Sequence, residues 1–128
     1  MKTKSKSGNV AFAAIVVLAA FSLMSFIIAT DGWPVPAADA AKKNPVKSDA
    51  ASIAAGKTSY TTYCKSCHGV DGKKLTNADL TGAAFKAETD GSVFYKINTG
   101  KGGMPSYKTK LADDEDRWSV VNYLRTLK

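Results

Sequence analysis

The sequence lacks several features that would assign it at once to a common class. No segment alternates polar and apolar residues with a period of two, so nothing predicts a β-strand. No internal repeat is present. The net charge is +7, but no block of like charges resembles a nucleic-acid-binding arm, so nucleic acid is not an expected partner. These absences leave a helical protein of one domain at most, together with its N-terminal segment.

Thiol and imidazole groups are also scarce, and all of them lie together. The 128 residues include two cysteines and one histidine, within the motif Cys64-Lys65-Ser66-Cys67-His68. Two thiols three positions apart at a helix end point to the same side. This spacing is typical of c-type haem attachment, in which both thiolates add to the vinyl groups of one haem and the adjacent imidazole binds its iron.

Three other interpretations of this motif fit less well. A structural zinc site needs four ligands, and the chain has only three Cys and His residues. A thioredoxin-like redox pair belongs to a fold with strands, which no segment predicts. A disulfide between Cys64 and Cys67 would close too small a loop to stabilise much, and it would leave His68 unexplained. We therefore expect one covalently attached haem c.

The N-terminus differs from everything after it. Lysines precede an uncharged apolar run, VAFAAIVVLAAFSLMSFIIA, at residues 10–29. As a helix, twenty residues span about 30 Å, the hydrocarbon thickness of a bilayer. This length favours a signal-anchor over residues 1–30, which would attach the protein to the membrane with Trp33 at the interface; the alternative is a signal peptide cleaved near Ala40. In either case the rest of the protein is expected outside the cytoplasm, on the periplasmic side.

The remaining chain divides into a linker and a small domain. Residues 31–51 are rich in Ala, Pro and Lys and poor in large apolar residues, which predicts a semi-flexible linker. Residues 52–128 then form the haem domain. Domains of this size rarely gain more than about 3–5 kcal/mol from an apolar core alone. A porphyrin supplies the apolar surface that such a core lacks.

Apolar residues at helical spacing predict the elements of this domain. A first helix contains Ile53 and ends at Tyr63, just before the motif. A short second helix is capped by Asp90-Gly91-Ser92 and stops at Gly100. The last helix lies within residues 111–128 and has an acidic first turn.

The regions between these helices are predicted as long loops, at residues 69–89 and 99–111. Loops of that length in a compact domain need something to wrap around. The fold class we expect is therefore all-α, with the loops lying against the haem.

Methionine is the third scarce residue type, and its distribution suggests a second axial ligand. Met1 and Met24 lie in the N-terminal segment, which leaves Met104 in the sequence GKGGMP. Glycines there let the backbone approach a porphyrin, and Pro105 stiffens the loop. Elimination thus predicts that Met104 binds the iron. The alternatives are that Met104 only fills core space, or that the position is vacant or weakly held by Lys or Tyr.

From about residue 53 to 127 the sequence resembles a small bacterial class I cytochrome c. The resemblance rests on Gly56 and Tyr60 before CKSCHG, then on GKGGMPSYKTKL, then on a terminal helix containing Trp118 and VVNYLR. It implies the small all-α cytochrome c fold, with an N-terminal helix crossing the C-terminal helix where Gly56 meets Tyr123. It also implies one haem, with thioethers and axial ligands supplied by Cys64, Cys67, His68 and Met104.

Two positions depart from the pattern of that family. Ala78 and Asp79 precede Leu80 where relatives often have a proline whose carbonyl holds the ligand histidine. The carbonyl of Ala78 is the candidate for that role here. Ala112 stands where a better helix N-cap is common, and Asp113 can serve one residue later.

Coordination of the iron from both sides leaves no open position for a substrate, so the expected function is one-electron transfer and not catalysis. The protein would shuttle electrons between respiratory-chain partners outside the cytoplasm. The alternative is a haem enzyme, or a gas or redox sensor, in which Met104 dissociates. Exposed lysines are expected to ring the haem edge and steer an acidic docking surface on redox partners, unless they are ordinary solvated lysines. These are Lys65, Lys73, Lys74, Lys101, Lys108 and Lys110.

Overall fold

The computed structural model describes residues 32–128, which consist of helices joined by loops. The helices in this part of the chain are α1 (Ala37–Ala40), α2 (Ala50–Tyr63), α3 (Lys65–His68), α4 (Ala83–Ala87), α5 (Asp90–Thr99) and α6 (Asp114–Leu124). Over the same residues no strand forms, and the β-structure is an isolated antiparallel bridge between Lys101 and Met104. The prediction of an all-α domain is thus confirmed for the described residues.

The apolar run at residues 10–29, on which the signal-anchor prediction depends, lies outside the described residues. Within residues 32–128, none of the helices combines the length and the apolar character needed to cross a bilayer.

Helix α2 begins where its first backbone amides find side-chain partners. Asp49 accepts a hydrogen bond from the amide of Ser52 at 3.0 Å, and the Ser52 hydroxyl accepts one from the amide of Asp49 at 3.2 Å. This reciprocal capping box satisfies donors that have no partner within the helix. The helix ends at Tyr63, as predicted, and Cys64 follows as its C-cap.

Helices α2 and α6 cross in close contact at Gly56. A Cβ atom added to Gly56 would lie 1.9 Å from the carbonyl oxygen of Ser119 and 3.0 Å from the Cβ of Tyr123. Next to the crossing, the rings of Tyr60 and Tyr123 pack with centroids 5.1 Å apart. The predicted meeting of Gly56 and Tyr123 is therefore confirmed, and it depends on glycine because no side chain fits between the two backbones.

The caps of the later helices match the sequence in one case and differ in the other. Asp113 accepts from the amide of Glu115 at 3.0 Å and begins α6, as expected from the sequence after Ala112. For α5 the cap is Thr89, whose hydroxyl accepts from the amide of Ser92 at 3.1 Å. The prediction that residues 90–92 form this cap was wrong, because Asp90 is already helical.

The core lies where α2, α5 and α6 meet. The rings of Phe94 and Trp118 stack with centroids 3.9 Å apart and planes 7° from parallel. Arg117 is also buried, with its guanidinium donating to the carbonyls of Lys108 and Leu111. Helix α6 thus both fills the core and holds the end of the loop that follows Gly103.

The region 69–89 contains more regular structure than the predicted loop. A 3₁₀ turn forms at Thr76–Ala78, and α4 buries Phe85. Arg125 fixes the end of α4 by donating to the carbonyl of Glu88 at 2.6 Å. An Ala-rich segment of five residues has too little helical signal to be recognised without that contact from α6.

The segment predicted as a semi-flexible linker packs against the helical domain over most of its length. Asn44 donates to the carbonyl of Trp118 at 3.1 Å and to the side chain of Asn122 at 2.8 Å. Helix α1 lies on α5, where a Cβ added to Gly91 would come within 2.2 Å of the carbonyl oxygen of Asp39. Residues 32–49, which we call the strap, are therefore part of the fold, because polar contacts and a glycine replace the large apolar residues that the segment lacks.

Candidate functional site

The Cys-x-x-Cys-His motif lies at the junction of α2 and α3. Cys64 ends α2 and caps α3, and both Cys67 and His68 belong to α3. The amide of Cys67 donates to the carbonyl of Cys64 at 3.2 Å, and the amide of His68 donates to the same carbonyl at 2.9 Å. One tight turn thus brings the two sulfur atoms and the imidazole together.

The two thiols are free and differ in their surroundings. Cys64 is half-buried, whereas Cys67 is exposed. Burial, with a smaller contribution from Cys67, raises the pKa of Cys64 to about 11. Residues 32–128 contain no group of three or more His, Cys, Asp or Glu side chains that is arranged to hold a metal ion.

His68 faces a partly buried environment with few polar neighbours. Burial lowers its pKa, and the backbone carbonyl of Ala78 raises it by a smaller amount. Its Nδ1 atom is buried and makes no hydrogen bond of ordinary geometry. The carbonyl of Ala78 thus acts on the imidazole without a well-formed bond to Nδ1, and the lowered pKa favours the neutral form that a metal ligand needs.

Side chains outside the motif hold its following turn. The hydroxyl of Tyr60 donates to the carbonyl of Gly69 at 2.7 Å. Burial raises the pKa of Tyr60 to about 12, so this hydroxyl keeps its proton. Lys74 reaches back to the carbonyl of Ser66 at 2.7 Å. Gly69 itself has a φ of 82°, a backbone conformation that favours glycine.

Met104 lies in a tight loop after α5. Lys101 and Met104 exchange backbone hydrogen bonds of 2.8 and 3.0 Å, and Gly102 between them has a φ of 58°. The loop starts at Gly100, with a φ of 64°, where an added Cβ would lie 2.5 Å from the carbonyl oxygen of Met104. The glycines therefore determine the shape of this loop, and the predicted end of α5 at Gly100 is confirmed.

A tyrosine connects the methionine loop to the cysteine motif. The hydroxyl of Tyr107 donates to the carbonyl of Tyr63 at 3.0 Å, and its amide donates to the carbonyl of Ile97 at 3.0 Å. Tyr107 thus holds the chain after Met104 against both α2 and α5.

The loop and the motif border one cavity of about 800 Å³, within the range of pockets that hold one sizeable ligand. All four residues predicted from the sequence line it, namely Cys64, Cys67, His68 and Met104. Its apolar wall includes Leu80, Phe85, Val93, Ile97, Val120 and Leu124.

The residues present fit a covalently bound haem. Two free thiols border the same cavity as a neutral imidazole whose buried Nδ1 is without a partner, and a thioether from a separate loop borders it too. This donor set of two thiols, one imidazole and one thioether, with an apolar wall, is that of c-type haem attachment.

A second cavity of about 820 Å³ lies at the N-terminal ends of α2 and α6. Its wall is rich in carboxylates, including Asp49, Asp113 and Glu115, and none of the four predicted site residues contributes to it. It is therefore separate from the haem site.

Two further residues at the haem cavity were not identified from the sequence. Trp33, for which the sequence suggested a place at the membrane interface, lines the cavity instead. Tyr107 also lines the cavity. Its position three residues after Met104 in the sequence could have indicated this location. Trp33 had no such signal, because it precedes the domain that the sequence pattern outlined.

Comparison with known proteins gives the same result. The family model described as cytochrome C oxidase, cbb3-type, subunit III, matches residues 51–124. Cytochrome c6 of Cladophora glomerata is 32% identical over 82 residues, an alignment that covers 59% of this chain and 89% of that protein.

The family match covers the segment that contains the motif, the methionine loop and α6. The family model alone spans more than half of the chain. The protein is a small c-type cytochrome that carries electrons on covalently bound haem c, and it belongs to the family of cytochrome c oxidase, cbb3-type, subunit III.

Proposed function

We propose that Cys64 and Cys67 bind the haem through thioether bonds, and that His68 and Met104 are its axial ligands. The observation that carries this proposal is that all four side chains line one largely apolar cavity. The haem, when bound, supplies a one-electron couple between ferrous and ferric iron. The task of the protein is then to hold the ligands and to exclude water.

Each ligand is supported by its own set of backbone contacts. On the histidine side, Tyr60 restrains the turn at Gly69 and the carbonyl of Ala78 acts on the imidazole. A carbonyl beside a ligand histidine helps to orient its ring. On the methionine side, Tyr107 and the paired amides of Lys101 and Met104 restrain the loop. A thioether ligand raises the reduction potential, so the carrier would serve high-potential respiratory-chain partners.

With both axial positions filled by the chain, the protein functions as a carrier and not as an enzyme. The alternative is a haem enzyme or a gas or redox sensor, which requires that Met104 leave the iron. Absorption spectra of the ferric and ferrous protein with and without carbon monoxide test this choice. A low-spin spectrum with the weak far-red methionine–iron band and slow gas binding supports the carrier. Rapid binding of carbon monoxide would refute it.

The matched variants are Met104→Ala and Met104→His. Loss of the thioether should abolish the far-red band and allow carbon monoxide to bind rapidly. The histidine variant should restore a six-coordinate iron with a lower reduction potential. If Met104→Ala keeps the wild-type spectrum, Met104 is not the ligand.

Partner recognition would depend on six lysines that flank the cysteine motif and Met104 in the sequence. Lys65, Lys73, Lys74, Lys101, Lys108 and Lys110 are all exposed. We propose that they steer an acidic docking surface on a redox partner, an attraction that salt screens over about 10 Å at 0.1 M ionic strength. The rate of electron transfer to the partner should therefore fall as ionic strength rises. A rate independent of ionic strength would show that these lysines do not steer.

The site of action would be outside the cytoplasm, on the periplasmic side. Residues 1–30 would form the membrane anchor, with its apolar run at 10–29 long enough to span a bilayer. In this domain arrangement residues 52–128 form the haem domain, and the strap packs against it. Fractionation of the native protein followed by intact mass measurement tests the anchor. Recovery of a soluble species lacking about 40 residues would instead support a cleaved signal peptide.

A further inference from the structure

The strap reaches the haem cavity at its N-terminal end. Trp33 is half-buried there and lines the cavity together with residues of the methionine loop. The strap is held along its length by the contacts of Asn44 and by a hydrogen bond of 2.7 Å from Thr89 to the carbonyl of Ala40. The position of Trp33 is therefore determined by the fold of the haem domain itself.

Two lysine cations lie over the Trp33 ring. The ammonium nitrogen of Lys96 is 5.5 Å from the ring centroid, and that of Lys101 is 5.9 Å from it. Lys101 also donates a hydrogen bond to the carbonyl of Gly32. Lys96 is an ion-pair partner of Glu88 at 2.7 Å. The indole thus bridges α5 and the methionine loop, because one cation comes from each.

Lys101 connects this contact to Met104. Both its amide and its carbonyl are paired with the backbone of Met104, across the turn formed by Gly102 and Gly103. Movement of Lys101 away from the strap would therefore displace the residue that carries the thioether. Gly102 and Gly103 both line the haem cavity, so this turn forms part of the cavity wall.

We infer that Trp33 is a positioning residue for Met104: it holds Lys101 in place and covers the mouth of the haem cavity, so that the methionine loop stays closed. This inference rests on the proposed function, in which Met104 binds the iron. It assigns to the strap a role in the stability of the axial bond and in the exclusion of water from the haem edge. Both effects keep the reduction potential high, since burial is one of its determinants.

The test compares full-length holoprotein variants by the affinity of the ferric protein for added imidazole, which competes with Met104 for the iron. The variants are Trp33→Ala, Trp33→Phe and Lys101→Met, and the matched control is Lys57→Met. Lys57 is exposed on α2 and does not line the cavity. Trp33→Ala removes two cation–π contacts, and their loss should favour the open form of the methionine loop about tenfold. Because imidazole binds the iron in the open form, Trp33→Ala should bind imidazole about tenfold more tightly than wild type.

Trp33→Phe keeps an aromatic face with a weaker attraction for cations, so its imidazole affinity should lie between those of wild type and Trp33→Ala. Lys101→Met should shift the affinity in the same direction, and the double variant should show less than the sum of the two single effects, because both remove the contact between Lys101 and Trp33. The reduction potential should fall in Trp33→Ala and remain at the wild-type value in Lys57→Met.

The outcomes separate this inference from the proposed function. If wild type shows no methionine–iron band, the assignment of Met104 is wrong. If the band is present but Trp33→Ala binds imidazole with wild-type affinity, the role of Trp33 is refuted. Should Trp33→Ala fail to fold, Trp33→Phe and Lys101→Met decide the question, and wild-type affinity in both overturns the inference.

Discussion

Substitution of Gly56 by alanine tests the helix crossing on which the haem domain is built. The added Cβ would lie 1.9 Å from the carbonyl oxygen of Ser119, whereas real Cβ atoms essentially never approach within 3.0 Å. The neighbour is backbone, so no side chain can rotate away. Helices α2 and α6 must therefore separate by about 1 Å. This separation removes a quarter to a half of the dispersion attraction between the atoms of α2 and α6 that are in contact.

The expected loss of stability follows from two opposing effects. Overpacking of a close contact costs about 1–3 kcal/mol, and a clash with backbone belongs at or above the upper end. Alanine has a higher helix propensity than glycine and recovers about 1 kcal/mol. The net loss is about 2–3 kcal/mol, which lowers the melting temperature of a domain of this size by roughly 10–20 °C.

The assay is thermal unfolding of the ferric holoprotein, followed by circular dichroism. The control is Lys57→Ala, because Lys57 follows Gly56 on α2, is exposed and does not line the haem cavity. We expect the control to melt within a few degrees of wild type. If Gly56→Ala and Lys57→Ala melt at the same temperature, the close contact of α2 with α6 is not what makes glycine necessary at position 56.

Three other substitutions address different parts of the structure. Tyr107→Phe removes one partly buried hydrogen bond, to the carbonyl of Tyr63, and should cost about 0.5–1.5 kcal/mol of unfolding free energy, measured by denaturant titration. Asn122→Ala should cost more, about 2–3 kcal/mol, because it leaves several buried or partly buried partners in the strap and α2 unsatisfied; a loss below that of Tyr107→Phe would contradict the packing of the strap. Asp49 has a pKa below its usual value of 3.8, chiefly because the amide of Ser52 donates to its carboxylate. The cap formed by this carboxylate therefore stabilises the fold fully above pH 3.8, and this stabilisation is lost as the pH falls through the lowered pKa. Stability below pH 3.8 should accordingly decrease less steeply in Asp49→Ala than in wild type, and equal slopes would show that the cap is not linked to protonation.

The helices with a clear apolar pattern were predictable, and the short ones were not. The end of α2 at Tyr63, the end of α5 at Gly100 and the cap of α6 at Asp113 all agree with local signals in the sequence. Helix α4 was missed because five residues cannot form a stable helix alone. It is held from outside, by Arg125 of the C-terminal segment.

The strap shows why local composition was misleading. A segment without large apolar residues predicts a linker, since it cannot form a core of its own. Asn44 binds instead to groups about 75 positions away in the chain. Hydrogen bonds between such distant residues leave no periodic pattern in the sequence, so only the folded chain reveals them.

The sequence by itself determined the chemistry of this protein. Its two cysteines, its one histidine and the methionine at position 104 stand in an order and spacing that are specific for c-type haem, and covalent attachment depends on that spacing more than on distant contacts. Tertiary structure alone decided which groups surround those four residues. Trp33 contacts Lys101 from the strap, and Tyr107 bonds to Tyr63 at the end of α2, because packing and hydrogen bonding depend on distance in space and not on separation in sequence.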